Sequence, residues 1–184
     1  MKNCSNLRII GGKFRSRQFR IPMSFKIRPT LNQVRENLFN WLGRDLDHNT
    51  RCLDAFAGSG SLGLESLSRG VAFCTFVDLS HQAISVILKA TSDLRIKNFH
   101  IMKKDVVRYL NVMPHYDIIF LDPPFGLGML EKSIKAIVKN KNITQKTIIY
   151  IESDVEGEVF NGIVLLKQSS LGRVHYSLAR KKSI

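Results

Sequence analysis

Apolar residues recur along this chain in short blocks, separated by helix-length stretches with one oily face. From residue 51 onward the blocks fall at 52–53, 73–77, 99–102, 118–121, 147–151, 164–166 and 174–178. Amphipathic stretches at 62–68, 83–94, 106–112 and 130–138 lie between most of them. Short continuous apolar blocks suit strands buried on both faces, and the intervening 3.6-residue period suits helices. This alternation predicts an α/β fold, a mostly parallel seven-stranded sheet with helices on both faces. No helical pattern separates the last two blocks, so they are expected as an antiparallel hairpin on the sheet edge.

Upstream the pattern differs. Ile9-Ile10, then Gly11-Gly12, then alternating basic and apolar residues to Ile21-Pro22 predict a short β-hairpin. Pro29-Thr30 opens a helix, with Thr30 as expected cap and Gln33 completing a capping box. Leu31, Val34, Leu38, Trp41 and Leu42 give that helix one apolar face, and Gly43 ends it. Two units are expected: a basic N-terminal hairpin arm, 1–29, and a main domain, 30–184. No internal repeat or low-complexity segment interrupts them.

Charge sharpens the picture. Twenty-eight Lys and Arg face fifteen Asp and Glu, a formal net charge of +13 and a pI near 10.0. That excess favours a polyanionic partner, and the lack of a membrane-length apolar run points to nucleic acid over a membrane. Residues 1–29 hold eight of the cations and no acid, with Phe14, Phe19 and Phe25 among them. A cationic, partly aromatic arm reads as a phosphate-tracking surface, with Lys13, Arg15, Arg17 and Arg20 as the candidate RNA contacts, rather than as a merely solvated segment. Cys52 and Cys74 lie in apolar segments and read as small buried hydrophobes, and no Cys/His group has metal-ligand spacing. The N-terminus lacks a signal-peptide core, which predicts a reduced, cytoplasmic setting.

Gly58-Ser59-Gly60-Ser61-Leu62-Gly63 follows the first core strand and opens a helix, the context in which G-x-G-x-x-G binds a nucleotide-like ligand. Asp78 ends the next strand, placed to accept ribose hydroxyls. A dinucleotide-dependent oxidoreductase fits these features alone. Asp54, just before the loop, argues against it, because a carboxylate there repels a pyrophosphate and suits a ligand bearing an ammonium or sulfonium group. Asp105, past the third strand, is placed to accept from an adenine amine. Each Asp alone reads equally well as a helix cap, but acids after three successive strands at one sheet edge favour a ligand site. The candidate cofactor contacts here are Asp54, Phe56, Gly58, Ser59, Gly60, Asp78, Leu79, Asp105 and Val106, and S-adenosylmethionine is the ligand that fits.

Asp122-Pro123-Pro124-Phe125 follows the fourth apolar block. Two prolines fix a carboxylate, a carbonyl and a ring in one arrangement. A base amine is a poor nucleophile because its lone pair is delocalised into the ring. Hydrogen bonds from its N–H groups to the Asp122 carboxylate and the Pro123 carbonyl favour a tetrahedral nitrogen and stabilise its developing charge. Phe125 is then free to stack on an unpaired or flipped base. An Asp-Pro turn closing a buried strand is the plainer alternative. The tetrapeptide itself fits guanine N2, adenine N6 and cytosine N4 equally.

These motifs, in this order, resemble the class I, Rossmann-like methyltransferases with a D/N-P-P-F/Y tetrapeptide. More specifically, Arg8-Ile9-Ile10-Gly11-Gly12, Arg28-Pro29-Thr30, residues 34–42, residues 54–65, residues 120–125 and Tyr150-Ile151-Glu152-Ser153 resemble the 16S ribosomal RNA guanine-N2 methyltransferases of the RsmD type. The resemblance spans nearly the whole chain. It implies methylation of one guanine, guanine-966, within an assembled small ribosomal subunit. A monomer with no membrane partner is expected. The resemblance also implies that Arg28 and Thr30 close over the methionine end of the cofactor and that Arg35 and Glu65 support the fold. The family pattern carries an acid where this chain has Asn32. Of the rivals, a DNA amino-methyltransferase is expected to carry a target-recognition region for which this chain leaves no space. A plain RNA-binding module does not account for residues 122–125, nor a hydride-transfer enzyme for Asp54.

Overall fold

A computed structural model describes residues 4–22, 31–155 and 160–183. The hairpin strands β1 (Cys4–Arg8) and β2 (Gln18–Pro22) pair antiparallel, joined by a loop over 9–17. The first strand therefore ends before Ile9-Ile10, and the two glycines lie in the connecting loop. Alternation is strict on the hairpin: Leu7, Ile9, Phe19 and Ile21 are buried, while Arg8 and Arg20 are exposed. Its inner face joins the main core instead of standing apart from it.

Helix α1 (Asn32–Leu42) begins later than the capping-box pattern implies. Leu31 occupies the N-cap with no side-chain cap, and Thr30 lies outside the described residues. The local side-chain bond is made within the helix, where Asn32 Oδ1 accepts from Arg35 Nη2 at 2.5 Å. An amide oxygen, like a carboxylate, is an acceptor for a guanidinium, so Asn32 suffices for this contact. The buried Arg35 also donates to the Arg8 carbonyl, tying α1 to the hairpin.

The main sheet contains β3 (Arg51–Ala55), β4 (Phe73–Asp78), β5 (Phe99–Lys103), β6 (Ile118–Leu121), β7 (Ile148–Ser153), β8 (Ile163–Leu171) and β9 (Val174–Lys181). Between them run α2 (Ser61–Ser68), α3 (His81–Asp93), α4 (Val106–Val112) and α5 (Met129–Lys139). Strand order is β5-β4-β3-β6-β7-β9-β8, parallel from β5 to β7. β9 inserts antiparallel beside β7 and places β8 on the edge, as the missing helical pattern predicts. This is the α/β arrangement of a class I methyltransferase, with helices on both faces.

Every residue of β6 is buried, Ile118 and Phe120 toward one core and Ile119 and Leu121 toward the other. The first core packs the hairpin, α1, α2 and α3 against the sheet, and the second packs α4 and α5. Cys52 and Cys74 are fully buried and form no disulfide, packing as small hydrophobes. Among the described residues no helix is long and apolar enough to cross a membrane. The order in which successive strands are added reverses between β3 and β6, which are themselves parallel, and open α/β sheets place their ligands at the strand ends beside such a switch point.

Candidate active site

At that switch point the chain leaves β3 through a tight loop, 56–60. Phe56 and Ala57 both donate their N–H to the Val77 carbonyl, at 3.1 and 3.0 Å, folding the loop against the end of β4. Phe56 holds a left-handed φ of 68°, a conformation that costs a non-glycine residue of order 1 kcal/mol or more and that clusters at functional sites. Gly60 has φ 76°, and a Cβ there would stand 2.9 Å from Ile87 of α3. Gly63, in α2, has no room for a Cβ either, which would overlap the Phe76 ring. The second glycine thus serves the turn and the third serves close helix–sheet packing.

The predicted acids converge on this loop. Asp78 accepts from Gly58 N at 2.8 Å through one oxygen and from Ser80 N at 2.7 Å through the other. Asp54 is 3% exposed, and its Oδ2 accepts from Gly63 N at 2.8 Å. Burial pushes its carboxyl up to about 8, against the pull of the Gly63 N–H, and the neighbouring Asp122 and Asp78 charges raise it further. Three carboxylates from β3, β4 and the end of β6 therefore share one electrostatic neighbourhood that favours a cation.

The other cofactor candidates distribute less evenly. Ser59 is buried in the loop, and Leu79 is exposed beside Asp78. Asp105 follows β5 and caps α4, its Oδ1 accepting from Arg108 N at 2.8 Å, so the capping role is realised. Val106 buries its side chain in the second core. Arg28 and Thr30 lie outside the described residues.

Beyond β6, Asp122 is half-buried and Pro123 buried, while Pro124 and Phe125 are exposed. Phe125 shows 43% of its surface, an exposed aromatic side chain three residues after Asp122. Gly126 and Gly128 both take left-handed φ, 75° and 61°, and turn the chain from this exposed segment into α5.

The arm loop rests on α2. The fully buried Glu65 accepts from Ile10 N and Gly11 N, each at 2.8 Å, and from Arg69 Nε at 2.8 Å. Ser68 accepts from Phe14 N and donates to the Gly11 carbonyl. The side chains of Lys13, Arg15, Arg17 and Arg20 are all exposed. Motif reading also passed over one acid: Glu152, 3% exposed, closes β7 and accepts from the Tyr150 hydroxyl at 2.8 Å. An acid at the end of an otherwise apolar block was the available signal.

Comparison with known proteins agrees with this geometry. The family described as conserved hypothetical protein 95 matches residues 7–180. Ribosomal RNA small subunit methyltransferase D of Buchnera aphidicola (subsp. Baizongia pistaciae) is 34% identical over 180 residues, 95% of this chain and 91% of the relative. The protein of the same name from Escherichia coli K12 is 36% identical over 186 residues, 96% of this chain and 91% of the relative. Among solved structures, the Escherichia coli protein yhhF aligns with a TM-score of 0.86 at 34% identity, covering 97% of this chain and 99% of that one. A Haemophilus influenzae structure aligns with a TM-score of 0.82 at 32% identity, covering 97% and 100%. By the family match and by identity across nearly its whole length, this chain belongs to the conserved hypothetical protein 95 family, that of the ribosomal RNA small subunit methyltransferases D.

Proposed function

We propose that this protein transfers a methyl group from S-adenosylmethionine to the exocyclic N2 amine of a guanine in 16S ribosomal RNA, guanine-966. The observation that carries the reading is the placement of Asp122-Pro123-Pro124-Phe125 at the same sheet edge as the glycine loop, in a chain of this family. Bound S-adenosylmethionine supplies the methyl group from a cationic donor. The residues present fit it: Asp54, Asp78 and Asp122 form one acidic neighbourhood in which a bound cation favours the Asp54 carboxylate, and glycines 58 and 60 let backbone approach closely. A pyrophosphate at the same place meets the repulsion of those acids, which disfavours a dinucleotide oxidoreductase.

In this reading Asp78 accepts from the ribose hydroxyls and holds the Gly58 turn. Asp54 faces the methionine ammonium, and Asp105 with Val106 and Leu79 borders the adenine. Phe56 and Ser59 shape the loop around the ligand, and Arg28 and Thr30 complete its methionine end. Asp122 and the Pro123 carbonyl accept the N–H groups of the target amine and take up the charge that builds on nitrogen. Phe125 stacks on the base.

Lys13, Arg15, Arg17 and Arg20 form the exposed cationic face of the arm, suited to backbone phosphates. The substrate is an assembled small subunit, the protein works as a monomer, and its setting is the cytoplasm. Calorimetry tests the class of ligand: S-adenosylmethionine binds and NAD does not. Transfer of labelled methyl to unmodified small-subunit particles tests the reaction, and particles left unlabelled contradict it.

A further inference from the structure

The tetrapeptide grips any exocyclic amine, so selection of guanine requires another group. The sheet places one beside it. The last paired residues of β6 and β7 are Leu121 and Ile151, so Asp122 and Glu152 come one step further on adjacent strands. Neighbouring strands lie about 4.8 Å apart, the scale on which two carboxylates meet adjacent groups of one base edge.

Tyr150 belongs to the face that carries α1, and Glu152, two residues on in the same strand, continues that alternation. Glu152 pairs with Tyr176 of β9, and Tyr150 and Tyr176 pack into the first core. The Tyr150 hydroxyl donates to Glu152 Oε1, fixing the carboxylate. Burial first, then the charges of Glu152 and Asp122, drives the Tyr150 phenol well above its ordinary range. One hydroxyl therefore feels both acids.

We infer that Glu152 is the residue that selects guanine, by accepting the ring N1–H next to the amine that Asp122 holds. This rests on the guanine-N2 reading above. Guanine alone among the amino bases presents a ring N–H beside its amine on the Watson–Crick edge. Adenine and cytosine present a ring-nitrogen lone pair there, which meets a carboxylate oxygen acceptor to acceptor and makes no hydrogen bond with it. Glu152 is almost wholly buried, so a mismatched lone pair has no water to relieve it. Sites built on such hydrogen bonds reject unmatched analogues far more strongly than sites built on shape. Tyr150 is a positioning residue for this contact.

The test uses reconstituted small-subunit particles carrying guanine or 2-aminopurine at the methylated position. 2-Aminopurine keeps the amine but turns N1 into an acceptor. Wild-type protein prefers guanine by at least about 100-fold in kcat/KM. Glu152→Gln, whose amide can donate to N1, narrows that ratio by at least about tenfold while cofactor affinity stays within about twofold. Tyr150→Phe, a milder change, narrows it in the same direction by about threefold, and decides the matter if the Gln variant fails to fold. A ratio unchanged in the folded variants overturns the role of Glu152, even if both activities fall together. Wild-type protein that yields no N2-methylguanosine overturns the parent reading instead.

Discussion

Gly12 sits against the Ser68 carbonyl at a left-handed φ of 73°, and a Cβ at Gly12 would overlap that oxygen. The next residue, Lys13, donates its N–H to the same oxygen at 2.6 Å. The basic loop is thus held on the helix that begins at the glycine loop, and the arm has a fixed attitude toward the catalytic edge. Gly12→Ala is expected to lift the loop from α2, costing about 1–3 kcal/mol of stability. RNA affinity should fall by about tenfold, with cofactor affinity within about twofold, because the site itself is untouched. Gel-shift and calorimetric titrations on the folded variant measure both, and unchanged RNA affinity shows that docking of the arm is irrelevant to substrate.

The exposed cations make a separable claim. Replacing Arg15, Arg17 and Arg20 together with Gln should flatten the log–log salt dependence of RNA binding by up to about two units, each phosphate contact on single-stranded RNA contributing about 0.7. Stability should change little, since all three side chains are exposed. A slope equal to wild type means the charge only solubilises.

Asp54 links cofactor binding to pH. Its carboxyl is pushed up to about 8, chiefly by burial, so below that pH the ligand-free protein keeps it protonated. A cation at this site favours the carboxylate, so binding expels the proton. Affinity for S-adenosylmethionine should therefore rise with pH, by up to about tenfold per unit, and level off above about 8. The same raised value means that ligand-free stability from this group is complete below about pH 4 and is lost as pH climbs through 8. Asp54→Asn should remove its share of the binding slope, leaving only that of the ligand's own amine. An identical slope in the variant contradicts the assignment.

Much of this was legible in the sequence because both signals were local. Buried parallel strands are continuous apolar blocks, so β4, β6 and β7 stood out. The apolar block 164–166 marks only part of the edge strand β8, which spans Ile163–Leu171, because Lys167, Gln168, Ser169 and Ser170 are exposed on both faces and carry no apolar pattern. The capping box at Thr30 was misplaced because Leu31 holds the cap position and Arg35 bonds Asn32 within the helix. Glu152 was recognised only as part of a family match, since its position beside Asp122 depends on strand order, a long-range property. Asp105 shows the opposite limit: one Asp can cap a helix and border a ligand, and spacing does not separate the two.

Asp122→Ala should lower turnover by about two orders of magnitude or more, the scale of losing one charge-stabilising group. Cofactor affinity should stay within a few-fold. Single-turnover rates beside calorimetric affinities separate the two, and an equal loss of affinity makes Asp122 a structural residue.

The identity of the methylated nucleoside tests the account most directly. Unmodified small-subunit particles, naked 16S RNA and DNA are each incubated with the protein and labelled S-adenosylmethionine, then digested to nucleosides and resolved by chromatography and mass. The account predicts N2-methylguanosine, formed far faster on particles than on naked RNA, with no methylated product from DNA. Recovery of N6-methyladenosine or N4-methylcytidine in its place contradicts the assignment of guanine N2.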